Sequence, residues 1–582
     1  MKYRQKFTIL ASATIALSVV SVACQDKFLE IPVTAQLDNS QLSSKAGIEG
    51  SLISVYSMLS GRGDRLASFS NWVWGGIRGG DANKGTDPGD FANINPIQRY
   101  EALSTIGDIN GTWVTKYEGI SRANATLRLL ALPTAVISAA DKKRVEAETK
   151  FLRALYYFDL KRIYNNVPYI DETVDYATGI EKVTNTATEL YPKIEADFKF
   201  AYDNLPETQG AVGRANKWAA ASMLAKVFMY QKKYTEAKAL LDLIIANGKT
   251  SGGAKYALLR SFPDLFKAAN DNNTESIFAI QAAANTGSTN NANPEFDLNY
   301  PYNTGPNGPG NCCGFNQPSF EYVNSFRTTA AGLPLLDNSY NTGANQVKND
   351  QGVPSKEAFT PDAGNLDPRL DHTVGRRGIP YLDWQDHLGQ DWIRNQPNGG
   401  PYSPKKFTYY RSDVGKFQDN SSWTPGYTAL NFPVIRYADV LLLAAEAEIE
   451  IGSLAKALEY TNLVRNRAAN PASFVTKAGA PAAKYVISPY PASAFASKES
   501  ARTALRFERR LELGDEGHRF FDLVRWGVAA PVLNAYLAYE GPKLPNTLGG
   551  ARFTAGKDEL LPIPQTQIDI QGKDILKQNP GF

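Results

Sequence analysis

Histidine, cysteine and methionine are scarce in this chain, with 3, 3 and 4 copies among 582 residues. His372, His387 and His518 stand too far apart to suggest a zinc site, and no HExxH, P-loop or nucleophile elbow occurs. No motif asks for a cofactor. The cysteines are too few for a disulfide framework. Cys312 and Cys313 are neighbours, so two free thiols in a tight turn and a vicinal disulfide both stand open. An excess of one charge is also lacking. Lys and Arg total 62 against 59 Asp and Glu, a net +3, which gives no electrostatic case for nucleic acid or an anionic membrane surface. A neutral ligand suits such a chain better. After the N-terminus, no stretch approaches the ~20 consecutive apolar residues of a membrane helix.

The N-terminus carries Lys2, Arg4 and Lys6, then an apolar run from Phe7 to Val20, then Ser21-Val22-Ala23-Cys24. This is the pattern of a secretory signal over residues 1–23. A small residue directly before Cys24 resembles a bacterial lipobox, although Ser21 stands where leucine is usual; cleavage by ordinary signal peptidase is the alternative. Acylation at Cys24 would anchor the mature chain, since each buried CH₂ contributes about 0.8 kcal/mol.

Helical periodicity dominates the first half. Apolar residues recur at three- and four-residue steps over Gln36–Leu59, Trp113–Leu132, Ala140–Tyr164, Leu190–Leu205, Lys217–Tyr230 and Tyr234–Asn247. Leu224–Ile244 and Ala444–Val464 share one layout, a small-residue helix, a short turn and a second helix, which is tetratricopeptide-like. Such pairs bury their faces only by stacking. The expected fold is an all-α superhelix of helix pairs, interrupted over residues 250–432 by a loop-rich insertion of Asn, Gly, Pro and aromatics that forms a ligand-binding face.

Candidate ligand residues lie in two loop regions. In NWVWGGIRGGDANKGTDPGD, Trp72 and Trp74 are two apart, so an extended backbone would turn both to one face, with Asp81, Asn83, Lys84, Asp87 and Asp90 following. The insertion adds Tyr300, Tyr302, Tyr381, Trp384, Trp392 and Trp423. Flat rings beside short amides and carboxylates suit a carbohydrate, which offers apolar C–H faces and a rim of hydroxyls. The competing reading makes the rings core residues and the aspartates turn caps.

The stretch LRFERRLELGDEGHRFFDLVRWG, Leu505–Gly527, interleaves charges with large apolar residues. It reads as two helices broken at glycine, with an i,i+3 pair between Arg509 and Glu512 and Asp515 as the cap of the second. Charges so placed must be buried in pairs, as an unpaired one costs roughly 3 to 5 kcal/mol.

This stretch also closely resembles the C-terminal signature of the SusD/RagB family, cell-surface glycan-binding lipoproteins. So do NFPVIRYADVLLLAAEAEIEIGSLAKALEYTNLVRNRA, CCGFNQPSFEYVNSFRTTAAGLPL, DPRLDHTVGRRGIPYLDW, QPNGGPYSPKKF and the chain end from Asp558 to Phe582. The resemblance implies an N-terminal helical domain at 24–248 and a C-terminal domain at 249–582. It further implies a lipid-anchored outer-membrane protein exposed at the cell surface, which binds an oligosaccharide and hands it to a SusC-like TonB-dependent transporter. That is binding without catalysis. A glycoside hydrolase, which needs only two carboxylates, is one alternative; a peptide-binding or helical-repeat interaction scaffold is another.

Overall fold

Side-chain caps set where the long helices begin. The hydroxyls of Ser44, Ser138, Ser453 and Ser497 and the amide oxygen of Asn216 each accept a hydrogen bond from the backbone N–H three residues on. In this computed structural model, which describes residues 39–62, 64–174, 183–184, 189–293, 296–310, 312–421, 424 and 426–582, the helices that matter here are eleven. They are α1 (Lys45–Tyr56), α2 (Gly107–Ala131), α3 (Ala139–Tyr164), α4 (Leu190–Asn204), α5 (Lys217–Tyr230), α6 (Tyr234–Asn247), α7 (Tyr437–Ile451), α8 (Leu454–Ala468), α9 (Lys498–Leu513), α10 (Arg519–Arg525) and α11 (Ala529–Glu540). The signal segment, Cys24 and Trp423 lie outside the described residues.

From α2 to α6 each helix packs on the next, and α6 then packs on α7, so the array passes over the insertion without a break. Packing is close where side chains are small: a Cβ on Gly119 of α2 would stand 2.6 Å from the ring of Tyr156 on α3. This is the expected mostly helical superhelix, and no described helix is long and apolar enough to cross a membrane.

Strands among the described residues are short antiparallel pairs. β1 (Ala82–Gly85) pairs with β3 (Phe315–Pro318), β2 (Ser276–Ile280) with β6 (Phe432–Arg436), and β4 (Val374–Gly375) with β5 (Ser403–Pro404). The second pair clamps the insertion at its base, because Ile280 lies opposite Phe432. β6 then runs straight into α7.

The charged stretch is where loops meet helices. Glu508, Glu512 and Glu516 are fully or nearly fully buried. Arg369 reaches Glu508 at 2.7 Å, and Arg465 reaches the same carboxylate at 2.8 Å. Arg436 bonds Glu275, Glu512 and Glu516, each at 2.8 Å, while Arg467 also pairs with Glu512 and Lys406 with Glu516 at 2.6 Å. Two expectations are corrected here. Arg509 does not pair with Glu512 but with Asp439 of α7 at 2.8 Å and Asp522 of α10 at 3.0 Å, because α9 turns the two residues toward different neighbours. Asp515 does not cap α10, which starts after His518 without a side-chain cap. Its φ is 64°, its N–H donates to Asp81, and its carboxylate accepts from Asn316 at 2.6 Å.

Burial alone would raise the Glu512 carboxyl, but Arg467, Arg436 and Arg369 together pull it from 4.5 down to about 2. Its folded pKa is therefore below its unfolded one, so the stability it contributes is present above about pH 4.5 and is lost as pH falls toward about 2. Glu512→Ala takes one carboxylate from each of three buried arginines, which keep Glu508, Glu516 or Glu275, and should destabilise the fold by roughly 3 to 5 kcal/mol. Urea titrations across that pH window check both statements, the first by a flatter acid limb in the variant and the second by the loss of stability at neutral pH.

Candidate functional site

The glycine-rich segment turns inward. Asn71 adopts φ 50°, and Trp72–Ile77 form a wide helical turn in place of the expected extended backbone. The turn packs directly on the α9–α10 connection: a Cβ on Gly75 would lie 1.8 Å from the Gly517 carbonyl oxygen. Trp72 and Trp74 are 3% and 0% exposed, and their indole N–H groups donate to the carbonyls of Arg65 and Leu66 at 3.3 and 2.6 Å. Neither offers a ring face to a ligand, which corrects the expectation placed on both. Asp81 and Asn83 are corrected likewise. Asp81 is buried against Asp515 and Arg510, and Asn83 sits in β1, accepting from Tyr536 at 3.1 Å.

Most aromatics of the insertion are pins. The Tyr300 hydroxyl donates to the Gly426 carbonyl at 2.6 Å, and that of Tyr381 donates to the Pro404 carbonyl. Trp392 stands edge-on to Tyr381 and His387, with ring centroids 5.6 and 5.2 Å away. All three are at most 1% exposed and are therefore core residues, not platforms. Of the histidines, His387 and His518 are buried and His372 is partly buried. Burial pushes His372 down to about 4, and His387 and His518 down to about 3, so they stay neutral at physiological pH.

Tyr302 and Trp384 remain partly exposed. The indole N–H of Trp384 donates to the Tyr409 carbonyl at 3.2 Å, and its ring stands edge-on to Tyr409. Tyr302 belongs to a denser constellation. The Arg394 guanidinium lies 5.5 Å from its ring centroid and is also held by Asp87 at 2.6 Å, Asp90 at 2.5 Å and the Thr86 hydroxyl at 2.9 Å. Phe91 follows at once, 38% exposed at φ 45°, with its ring edge-on to Phe315 of β3.

The loop beneath is tied from several sides. The Asn398 amide donates to the Gly85 and Thr86 carbonyls at 2.9 and 3.1 Å, and the Thr86 N–H donates to the Gly314 carbonyl at 2.6 Å. Between Gly310 and Gly314, the sulfurs of Cys312 and Cys313 are brought together as in a vicinal disulfide. Composition had pointed to Tyr302, Asp87 and Asp90 but not to Phe91 or Arg394. The DPGD turn immediately before Phe91 is the signal that could have found the first.

The constellation supplies aromatic faces, a fixed cation and carboxylates at an open surface. It suits recognition of hydroxyls and C–H faces and holds no nucleophile with an adjacent base. The larger clefts are elsewhere: one of about 470 Å³ lies between Ile53–Ser60, Ala211–Arg214 and Ala279–Ala283, and one of about 750 Å³ lies beside Leu537–Arg552. None of the sequence-predicted residues lines either.

A stacked-helix scaffold with one loop layer laid over it defines a helical-repeat binding protein in general form, and comparison narrows the form. Residues 274–582 match the family model described as "SusD family", and residues 85–229 match one described as "Starch-binding associating with outer membrane". The chain belongs to the SusD family. It is 26% identical to SusD-like protein P2 of Formosa agariphila, with 98% of each chain covered. Among solved structures, a laminarin-binding SusD-like protein superposes with a TM-score of 0.62 at 25% identity, covering 93% of this chain and 100% of that one. A SusD superfamily protein from Bacteroides vulgatus superposes at 0.66 with 20% identity, covering 94% and 99%.

Trp74→Ala separates core from platform. Removing a fully buried indole should lower unfolding free energy by roughly 3 to 5 kcal/mol. Tyr302→Ala, at the surface, should leave the melting temperature within a degree or two, by about the ±0.5 kcal/mol typical of such sites. Thermal melts of both variants read the difference.

Proposed function

We propose that this protein binds glycan oligosaccharides at the face formed by Phe91, Tyr302, Arg394, Asp87 and Asp90, and that it binds them without cleaving them. The observation that carries the reading is the partly exposed Tyr302 ring beside a guanidinium already held by two carboxylates, with the exposed Phe91 next in sequence to one of them. A sugar lays its C–H face on the ring and donates its hydroxyls to the carboxylate edges, while both carboxylates are engaged by Arg394. Family membership and the laminarin-binding relative support a glucan as the first ligand class to test.

In this reading residues 24–248 form the helical scaffold, and 249–582 add the loop layer. The mature chain is held at the outer membrane through lipid on Cys24 and presents its ligand to a TonB-dependent transporter. Trp384 forms a second, separate patch on the same layer.

Titration calorimetry with laminarihexaose and maltoheptaose should give saturable binding to at least one, with no new reducing ends after long incubation. Phe91→Ala or Tyr302→Ala should weaken it by about 2 kcal/mol or more, which is over tenfold. Appearance of cleaved product, or full affinity in both variants, would refute the assignment.

For the anchor, Cys24→Ala should leave the protein unprocessed or release it from the membrane fraction. Mild-detergent purification of the tagged wild-type chain should recover a large β-barrel partner, and repeated recovery of soluble enzymes alone would count against the transporter.

A further inference from the structure

Lys84 is a lysine with no exposed surface, in a strand of a surface-facing loop layer. Among the described residues its ammonium forms no direct ion pair. It donates instead to backbone carbonyls of the loop that follows, to Asp87 at 2.8 Å and Asp90 at 2.7 Å, with Pro88 at 3.5 Å. A buried charge persists only if its donors are satisfied, and here one loop satisfies it. The side chain therefore reaches forward from β1 and gathers the turn around itself. The same turn is closed from outside by the Asp87 carboxylate, which accepts from the N–H groups of Gly89 and Asp90 at 3.0 Å. The Asn95 amide adds a bond to the Pro88 carbonyl at 2.9 Å. What the turn presents is Asp87, Asp90 and Phe91, and through the first two it fixes Arg394.

We propose that Lys84 is the positioning residue of this face: its buried ammonium, held by the Asp87 and Asp90 carbonyls, keeps the loop in the shape that presents Phe91 and locks Arg394. The inference rests on the glycan-binding reading for its consequence in affinity, but not for its effect on the loop. The charged groups facing the ammonium are Asp90 and Asp87 on the loop and Arg394 from the segment after Trp392, while Gln98 accepts from the Lys84 backbone N–H. Burial pulls the lysine down from 10.5 to about 8, against the upward influence of Asp90 and Asp87 and with Arg394 adding to the fall.

The ammonium thus gives up its proton in a window where the protein is readily handled, and a neutral amine has one donor fewer and an electron pair turned toward carbonyl oxygens. Ligand affinity should fall as pH rises through about 8. Linkage works the other way for global stability. The unfolded lysine holds its proton to 10.5, so between about 8 and 10.5 this group makes the folded state more stable as pH rises. Loosening of the site and loss of the fold are therefore separable.

The test uses the mature chain, unmutated and as Lys84→Met, with laminarihexaose titrations at about pH 6.5 and about pH 9.5 and melting curves at each. Amide hydrogen exchange of residues 86–91 is measured without sugar. The unmutated protein should lose about tenfold in affinity at the higher pH, whereas Lys84→Met should bind weakly at both with little pH dependence, as expected when hydrogen bonds to a charged group are lost. Exchange protection over 86–91, corrected for intrinsic rates, should drop in Lys84→Met while that of α2 and α3 is retained. Unchanged protection in Lys84→Met overturns the inference, whether or not sugar binds. If protection drops yet the unmutated chain binds neither laminarihexaose nor maltoheptaose, the loop-holding role of Lys84 stands and the glycan reading falls.

Discussion

The requirement that buried charge be paired is the constraint on which the rest of the structure hangs. The carboxylates of Glu508, Glu512 and Glu516 are buried on α9 and the turn after it, and each is matched by cations from elsewhere in the chain. Arg369 and Lys406 come from the insertion, Arg436 from the strand that closes it, and Arg465 and Arg467 from α8. An apolar core of the same volume could be as stable, because ion pairs lose on desolvation what they gain in attraction. A greasy surface, however, would accept a loop in several registers. Fixed charges accept one, since any slip leaves an ion stranded.

That division explains what could be read in advance. Helices such as α5 and α6 were legible to the residue, because apolar spacing is a local fact. The turn at Trp72–Ile77 was not, because its cause is Gly517, and no local pattern states that the Gly75 backbone touches the Gly517 carbonyl. The same blindness covers the aromatics. Tyr300 and Tyr302 are two residues apart in one polar loop, yet one hydroxyl is committed to Gly426 and the other ring lies under Arg394. Composition detects that rings are present and says nothing about which of them the tertiary structure has already used. Arg394 was invisible for a related reason: a single arginine in a loop acquires meaning only beside Asp87 and Asp90, some three hundred positions away.

The loop layer is consequently better described as two populations of rings. Tyr300, Tyr381 and Trp392 stiffen it from within, each by an edge contact or a hydroxyl bond. Phe91, Tyr302 and Trp384 remain at the surface of that stiffened layer. An open face of this kind, unlike a closed pocket, sets no limit on how far a ligand extends beyond the residues it touches, which suits an internal stretch of a polymer as well as a short fragment.

The docking of Gly75 on Gly517 carries one last consequence, for how the molecule comes into being. The Arg78 guanidinium beside it donates to the Asp558 carbonyl at 2.6 Å, so the first loop of the face is braced by nearly the last segment of the chain. Contacts of such sequence separation form late and slowly, since loop closure must be achieved before they stabilise anything. A chain delivered N-terminus first can stack its early helices at once, but it has no floor for the Trp72–Ile77 turn until α9 and α10 arrive. The loop face is thus completed last, and a molecule cut short by even its last few dozen residues would keep much of its helical scaffold while losing the Arg78 brace beside the Trp72–Ile77 turn.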